Sequence, residues 1–222
     1  MAAHAVHFGH PTSRWNPKMK PFIYGEHKGF HVFDLHKTAA YLKEALVFLE
    51  KAAAEGKTIL LVGTKPQCKP LLSDIHDATG MPIMANKWIP GFLTNFRTIK
   101  KRIDYFNQLK EDDASGALEK YTKKEQMKLR KKIQELSALY SGVQDLKDRP
   151  DIVFVVDINR DQIAVKEAKR CGIPVVALVD TNSDPDPIDF IIPANDDSLK
   201  SLEYLLGLVK EALSASKSKK AK

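Results

Sequence analysis

The chain has 222 residues, 43% of them hydrophobic, which is enough for one globular domain with an insertion or for two small domains. Cys68 and Cys171 are too few and too far apart to suggest a disulfide framework or a zinc site. No apolar run approaches bilayer length and no signal-peptide pattern is present, so a cytosolic chain without a membrane partner is expected.

The formal charge of +7 is unevenly spread. Residues 94–149 hold 14 basic and 9 acidic side chains, whereas residues 150–213 hold 6 basic and 12 acidic ones. A field that is cationic on one side suits a polyanion such as nucleic acid, with binding that weakens steeply with salt.

In chain order, residues 1–25 come first. Pro11, Pro17 and Pro21 forbid a long helix and hold this segment extended. Arg14, Lys18 and Lys20 sit among Trp15, Asn16 and Phe22, a mixture that neutralises phosphates and stacks on bases. The alternative is a segment laid over the domain, with Trp15 and Phe22 as buried anchors. His7–Phe8–Gly9–His10 looks like the HIGH-type signature of class I aminoacyl-tRNA synthetases, and Lys18–Met19–Lys20 like its KMSKS partner. Their eight-residue separation and the proline after the first argue against adenylate transfer. His4, His7 and His10 could share a helical face around a metal, but no nearby carboxylate or cysteine completes a ligand set.

Phe30–Leu35 reads as a short strand, followed by a helix over Ala39–Glu55 with Thr38 as N-cap and Gly56 as terminator. Thr58–Val62 is a continuous apolar run, the pattern of a strand buried on both faces of a parallel sheet. It ends in Gly63–Thr64–Lys65, but GxxxxGK[ST] is absent and Pro66 follows, so nucleotide hydrolysis is not indicated. Lys65, at a strand end, is a candidate for an RNA phosphate. A helix over Pro70–Thr79 and a strand over Met81–Ala85 follow. The lead-in Asn86–Phe96 turns at Pro90–Gly91 and places Lys87 and Asn95 beside apolar Trp88, Phe92 and Leu93, as a hinge would.

Residues 94–149 form an insertion. Phe96, Ile99, Ile103 and Phe106, and then Leu129, Ile133, Leu136 and Tyr140, step by threes and fours, so each set lines one seam of a helix. The polar stretch Glu111–Gly116 separates them, which predicts an antiparallel, coiled-coil helical hairpin protruding from the domain. Its outer faces carry Lys100, Lys101 and Arg102, and Lys123, Lys124, Lys128, Arg130, Lys131 and Lys132. These cations either contact a large anionic partner or keep a solvated coiled coil soluble.

Past Arg149–Pro150 the α/β rhythm resumes: strands over Asp151–Asp157 and Val175–Asp180 with a helix over Asp161–Arg170 between them. Asp157, Asp180, Asp184 and Asp186 at the carboxyl edge raise an alternative, an α/β enzyme or phosphoreceiver with a Mg-binding aspartate cluster. Turn chemistry in Asp180–Pro185 explains the same residues without catalysis. Asn195–Asp197 caps a last helix over Ser198–Leu213, and residues 214–222 read as a disordered basic tail. The expected domains are 1–93 with 150–213, discontinuous and α/β, the hairpin 94–149, and the tail.

In this order His7–His10, Arg14–Met19 (RWNPKM), Pro21–Ile23, Phe33–Leu35, Val62–Lys65 (VGTK), Leu93–Phe96 (LTNF), Thr122–Glu125 (TKKE), Asp180–Pro185 (DTNSDP) and Ile192–Asp197 (IPANDD) resemble the small-subunit ribosomal protein S-two family, bacterial or organellar type. The resemblance covers nearly the whole chain. It implies a flavodoxin-like three-layer α/β/α domain with a coiled-coil hairpin and a non-catalytic role, with no cofactor, no metal and no small-molecule substrate. The protein would bind small-subunit rRNA near the head–body junction beside neighbouring small-subunit proteins. In bacteria the family also helps dock ribosomal protein S-one. On this resemblance the rRNA-binding residues are Arg14, Trp15, Asn16, Lys18, Lys20, Lys65, Lys87, Asn95, Lys100, Lys101, Arg102, Lys123, Lys124, Lys128, Lys131 and Lys132. The sequence departs from the family pattern where Lys87–Gly91 replaces an RWLGG-type stretch, in the short segment before His7, and in the basic tail that replaces a longer C-terminal extension. These departures alter surfaces on which docking of S-one could depend. A ribosome-bound cytoplasmic location is expected, or an organellar one.

Overall fold

A run of four residues without one polar side chain needs a sheet covered on both faces. Ile59–Val62 and Ile152–Val155 are such runs, and each is buried along its whole length. The structure, a computed structural model, describes residues 1–220, with side chains as far as Ala215. Its strands are β1 (Phe8–Pro11), β2 (Ile23–His27), β3 (Phe30–Phe33), β4 (Ile59–Val62), β5 (Ile83–Met84), β6 (Ile152–Val155), β7 (Val175–Val179) and β8 (Phe190–Pro193). Its α-helices are α1 (Leu35–Ala54), α2 (Cys68–Thr79), α3 (Phe96–Ala114), α4 (Lys123–Tyr140), α5 (Gln162–Arg170) and α6 (Leu199–Lys220).

Strands β4 to β8 form one parallel sheet in the order β5-β4-β6-β7-β8. Numbered within the sheet this order is 2-1-3-4-5, the flavodoxin-like doubly wound arrangement. Alternation along the strands divides the core in two. Ile59, Leu61, Ile152 and Phe154 pack with Leu42, Leu49, Leu72, Leu202 and Leu205 beneath α1, α2 and α6. Leu60, Val62, Val153 and Val155 pack on the other face with Trp88, Phe92, Ile103, Phe106, Ala164 and Ala168. The second core therefore joins the sheet, α5 and the base of the insertion.

Several boundaries differ from the sequence reading. Helix α1 starts at Leu35, capped by the Asp34 side chain, which accepts from the amides of His36 and Lys37. Thr38, expected as the cap, is buried one turn inside and donates to the Pro193 carbonyl at 2.7 Å. Strand β8 was not anticipated. The extended N-terminal segment is a second small sheet, antiparallel in the order β1-β3-β2, interspersed with 3-10 turns over Ala2–His4, Thr12–Arg14 and Pro17–Phe22. Lys28 and Gly29 both take positive φ, 52° and 81°, which gives the β2–β3 hairpin the twist of a two-residue type I′ turn.

The insertion consists of α3 and α4, linked through a 3-10 turn over Ala117–Lys120. Contacts pair Asp113 with Arg130 near the link and Phe106 with Tyr140 towards the base, so the helices run antiparallel. The polar stretch expected to end the first helix at Glu111 is helical as far as Ala114. Thr122 and Glu125 form a capping box that starts α4. Helix α6 continues through Lys220 into the stretch expected as a tail, whose last residues lie outside those described.

Candidate nucleic-acid interface

The N-terminal segment is fixed by its short side chains. Asn16 caps the Pro17–Phe22 turn by accepting from the Lys18 amide at 3.0 Å, and its own amide donates to the Thr181 carbonyl at 2.7 Å. Met19 and Phe22 are buried in the second core and anchor the turn. Arg14 and Lys20 point to solvent, whereas Trp15 is half-buried with its ring 4.9 Å from that of His31. Lys18 is exposed but engaged: its ammonium donates to Asp184 at 2.9 Å and also to Asp186. The segment is thus an anchored stretch, with Phe22 buried and Trp15 half-buried, that presents Arg14 and Lys20 on its outer side.

Lys65 departs from expectation. It lies at the carboxyl end of β4, where the strand order reverses between β4 and β6, and is 8% exposed. Its ammonium reaches Asp157 at 2.9 Å and Asp196 and Asp197 at 2.7 Å each. Burial alone would lower its pKa; the charge of Asp196 and the hydrogen bonds to Asp196, Asp197 and Asp157 outweigh burial and hold it above the usual lysine range. Lys65 is an internal countercation rather than a phosphate ligand, because these three carboxylates and the Asp196 carbonyl at 2.9 Å leave its three N–H donors no free direction. Burial and the charges of Asp180 and Asp157 push Asp196 up from 3.8 to about 8, against the pull of Lys65.

His10 completes this hub. Its ring nitrogens lie 3.1 Å from Asp180 and 3.3 Å from Asp197, and the hydrogen bond to Asp180 raises its pKa. The aspartates suspected of catalysis are thereby divided: Asp157 and Asp180 serve the hub, and Asp184 and Asp186 hold Lys18. The three N-terminal histidines are also apart in role, since His4 stacks on Tyr204, His7 lies against Phe8 and His10 joins the hub. Among the described residues no group of three or more His, Cys, Asp or Glu is placed to hold a metal ion, and no helix is long and apolar enough to cross a membrane.

The lead-in to α3 is held by a residue that the sequence reading did not single out. Glu167, on α5 and 8% exposed, accepts from Trp88 Nε1 at 3.1 Å and Gly91 N at 2.7 Å with one oxygen. The other accepts from Leu93 N at 3.0 Å and from Thr94 N and Oγ1 at 3.2 Å each. Burial would raise this carboxyl, but the donors from Gly91, Trp88, Thr94 and Leu93 outweigh it and hold its pKa below the usual range. Buried Ala164 and Ala168 flank it at helical spacing, so its place on the inner face of α5 was readable from periodicity. Its partners across the chain were not.

The insertion carries most of the predicted cations. Lys87, Asn95, Lys101 and Arg102 are exposed, and Lys100 is half-buried against Asp104 at 2.8 Å. On α4, Lys123, Lys124, Lys128 and Lys131 are exposed and form no ion pair within 4.0 Å among the described residues, although Lys128 lies near enough to Glu125 to lower its pKa, and Lys132 lies 3.6 Å from Glu135. Asn95 occupies the N-cap position of α3, yet its side chain makes no capping bond.

Residues 1–216 match the family model described as Ribosomal protein S2. The chain belongs to the ribosomal protein S2 family. Relatives named small ribosomal subunit protein uS2 agree. Those of Coprothermobacter proteolyticus, Nitratiruptor sp. and Wolinella succinogenes are each 46% identical to it over 94% of this chain and 78%, 78% and 77% of their own lengths. Membership in this family makes the protein a structural ribosomal constituent and not an enzyme, and the hub at the switch point accordingly reads as packing chemistry.

Proposed function

We propose that the protein is a constituent of the small ribosomal subunit that binds small-subunit rRNA near the junction of head and body, supports assembly and translation, and sits ribosome-bound in the cytoplasm among neighbouring small-subunit proteins. The observation that carries this reading is the distribution of unpaired cations. The acidic side chains of residues 150–213 are largely turned inward or matched, as Asp157, Asp180 and Asp196 are at the hub. The exposed cations of α3, α4 and the N-terminal segment mostly form no ion pair among the described residues, Lys18, Lys100, Arg130 and Lys132 being the paired ones. Arg14, Lys20, Lys87, Lys101, Arg102, Lys123, Lys124, Lys128 and Lys131 form the interface. Lys18, Lys100 and Lys132 contribute by exchanging an exposed carboxylate for phosphate, an exchange that costs little because solvent-exposed pairs are weak. Trp15 and Asn16 position the segment that bears Arg14.

Whether ribosomal protein S-one docks on this protein is a separate part of the proposal, and binding of S-one to small subunits with and without the protein tests it. Hydroxyl-radical footprinting of small subunits with and without the protein tests the placement. Protections confined to rRNA at the head–body junction are expected; protections elsewhere, or none, overturn it.

A further inference from the structure

Where α3 begins, the chain that leaves α4 returns to the sheet, and the two segments wall an open groove of about 560 Å³. Five cations line it, Arg97, Lys100 and Lys101 from α3 and Lys147 and Arg149 from the returning segment, against one acid, Asp148. Lys100 is paired with Asp104, while Arg97, Lys101, Lys147 and Arg149 have no carboxylate partner among the described residues. Four like charges left unmatched around one concavity repel each other unless an anion lies between them.

The walls are fixed from behind. Ile99 and Ile103 bury the opposite side of α3 in the second core, so Arg97 and Lys101 are turned outward. Leu146 and Pro150 are buried on either side of Lys147–Arg149, whose side chains are exposed. The floor is set by Glu167, whose bonds to Leu93 N and Thr94 N hold the lead-in. Cations held in place in this way lose little side-chain freedom on binding, compared with lysines on a free helix face.

We infer that this groove seats the sugar–phosphate backbone of one rRNA strand, with Arg97, Lys101, Lys147 and Arg149 as its phosphate ligands. Guanidinium forks stand on both walls, and Lys101 makes the groove continuous with the exposed cationic face of α3 assigned to rRNA above, so its occupant is RNA rather than an acidic protein segment. The inference rests on the rRNA-binding reading above and gives that reading three ligands, Arg97, Lys147 and Arg149, outside the family-like motifs.

The test is a salt titration of binding to a bacterial small-subunit rRNA transcript, with the full chain. The triple variant Arg97→Gln, Lys147→Gln, Arg149→Gln is compared with a control of equal charge change on other exposed sites, Lys43→Gln, Lys51→Gln, Lys200→Gln. Each lost single-strand phosphate contact lowers the salt slope by about 0.7, so the groove triple lowers it by about 2 and weakens binding about 100-fold at 0.1 M salt. The control shifts affinity only slightly, and both variants melt like the unaltered protein because all six positions are exposed. Equal losses in the two triples, or RNA binding unaffected by the groove triple as expected of a seat for an acidic protein, overturn the groove alone. Absence of rRNA binding by the unaltered protein overturns the parent reading as well.

Discussion

Removing the Glu167 carboxylate is the most informative single perturbation of this fold. In Glu167→Ala, five hydrogen bonds lose their acceptor. Gly91 and Thr94 are partly exposed and can turn to water, but Trp88 is 5% exposed and Leu93 fully buried, so two donors stay unmatched. Each buried, unsatisfied donor costs about 1–3 kcal/mol, so the loss is about 4 kcal/mol. For a chain of this size that lowers Tm by about 8–16 °C. Glu167→Gln keeps one acceptor for Trp88 and Gly91 but turns an NH₂ towards Leu93 N and Thr94 N, and about half of that loss is expected. The sign with pH follows from the depressed pKa: the stabilisation is present above the unfolded value of 4.5 and is lost as pH falls through the folded value. The advantage of the native chain over Glu167→Gln therefore shrinks in acid. Thermal unfolding across pH, together with amide exchange at Leu93 and Thr94, reads both effects. A Tm change under about 2 °C for the alanine variant, or undiminished protection of those two amides, refutes the clamp.

Three further outcomes are expected. Lys65→Met removes the ammonium that pairs with buried Asp157 and Asp196 and costs about 3–5 kcal/mol in urea unfolding, while the folded fraction keeps its rRNA affinity. Asp196 is raised to about 8, so the folded chain retains a proton there that the unfolded chain releases near 3.8. Its stabilisation is complete below pH about 4 and is lost as pH rises through about 8, and Asp196→Asn, which does not titrate, flattens Tm against pH across that window. Gly142→Ala places a Cβ against the carbonyl oxygen and side chain of Ile83, and the overlap costs about 1–3 kcal/mol in thermal unfolding.

What was legible in the sequence were features carried by local pattern. The apolar runs at β4 and β6 gave the central strands, and the three-and-four spacing of Ile99, Ile103 and Phe106 gave the inserted helix. Strand β8 escaped because Phe190–Pro193 ends in proline, tolerated at an edge of the sheet. Thr38 looked like a cap by residue type, but Asp34 one turn earlier takes that place because its carboxylate meets two free amides. Lys65 was misread because a lysine after a strand looks the same in sequence whether it faces solvent or a ring of carboxylates. That ring is assembled from residues up to 132 positions away. Glu167 shows the same limit: periodicity places it inside, but its partners lie 73 to 79 positions distant. The cations of the groove belong to segments joined by the whole hairpin, and only the fold brings them together.

The central claim is that this protein is a stoichiometric part of the small ribosomal subunit held chiefly by phosphate contacts. Sedimentation of lysate from its own cells through sucrose gradients, with the protein tagged, tests it most directly. The account predicts one copy comigrating with each small subunit at low salt and release only at high salt. A free peak at the top of the low-salt gradient would contradict it.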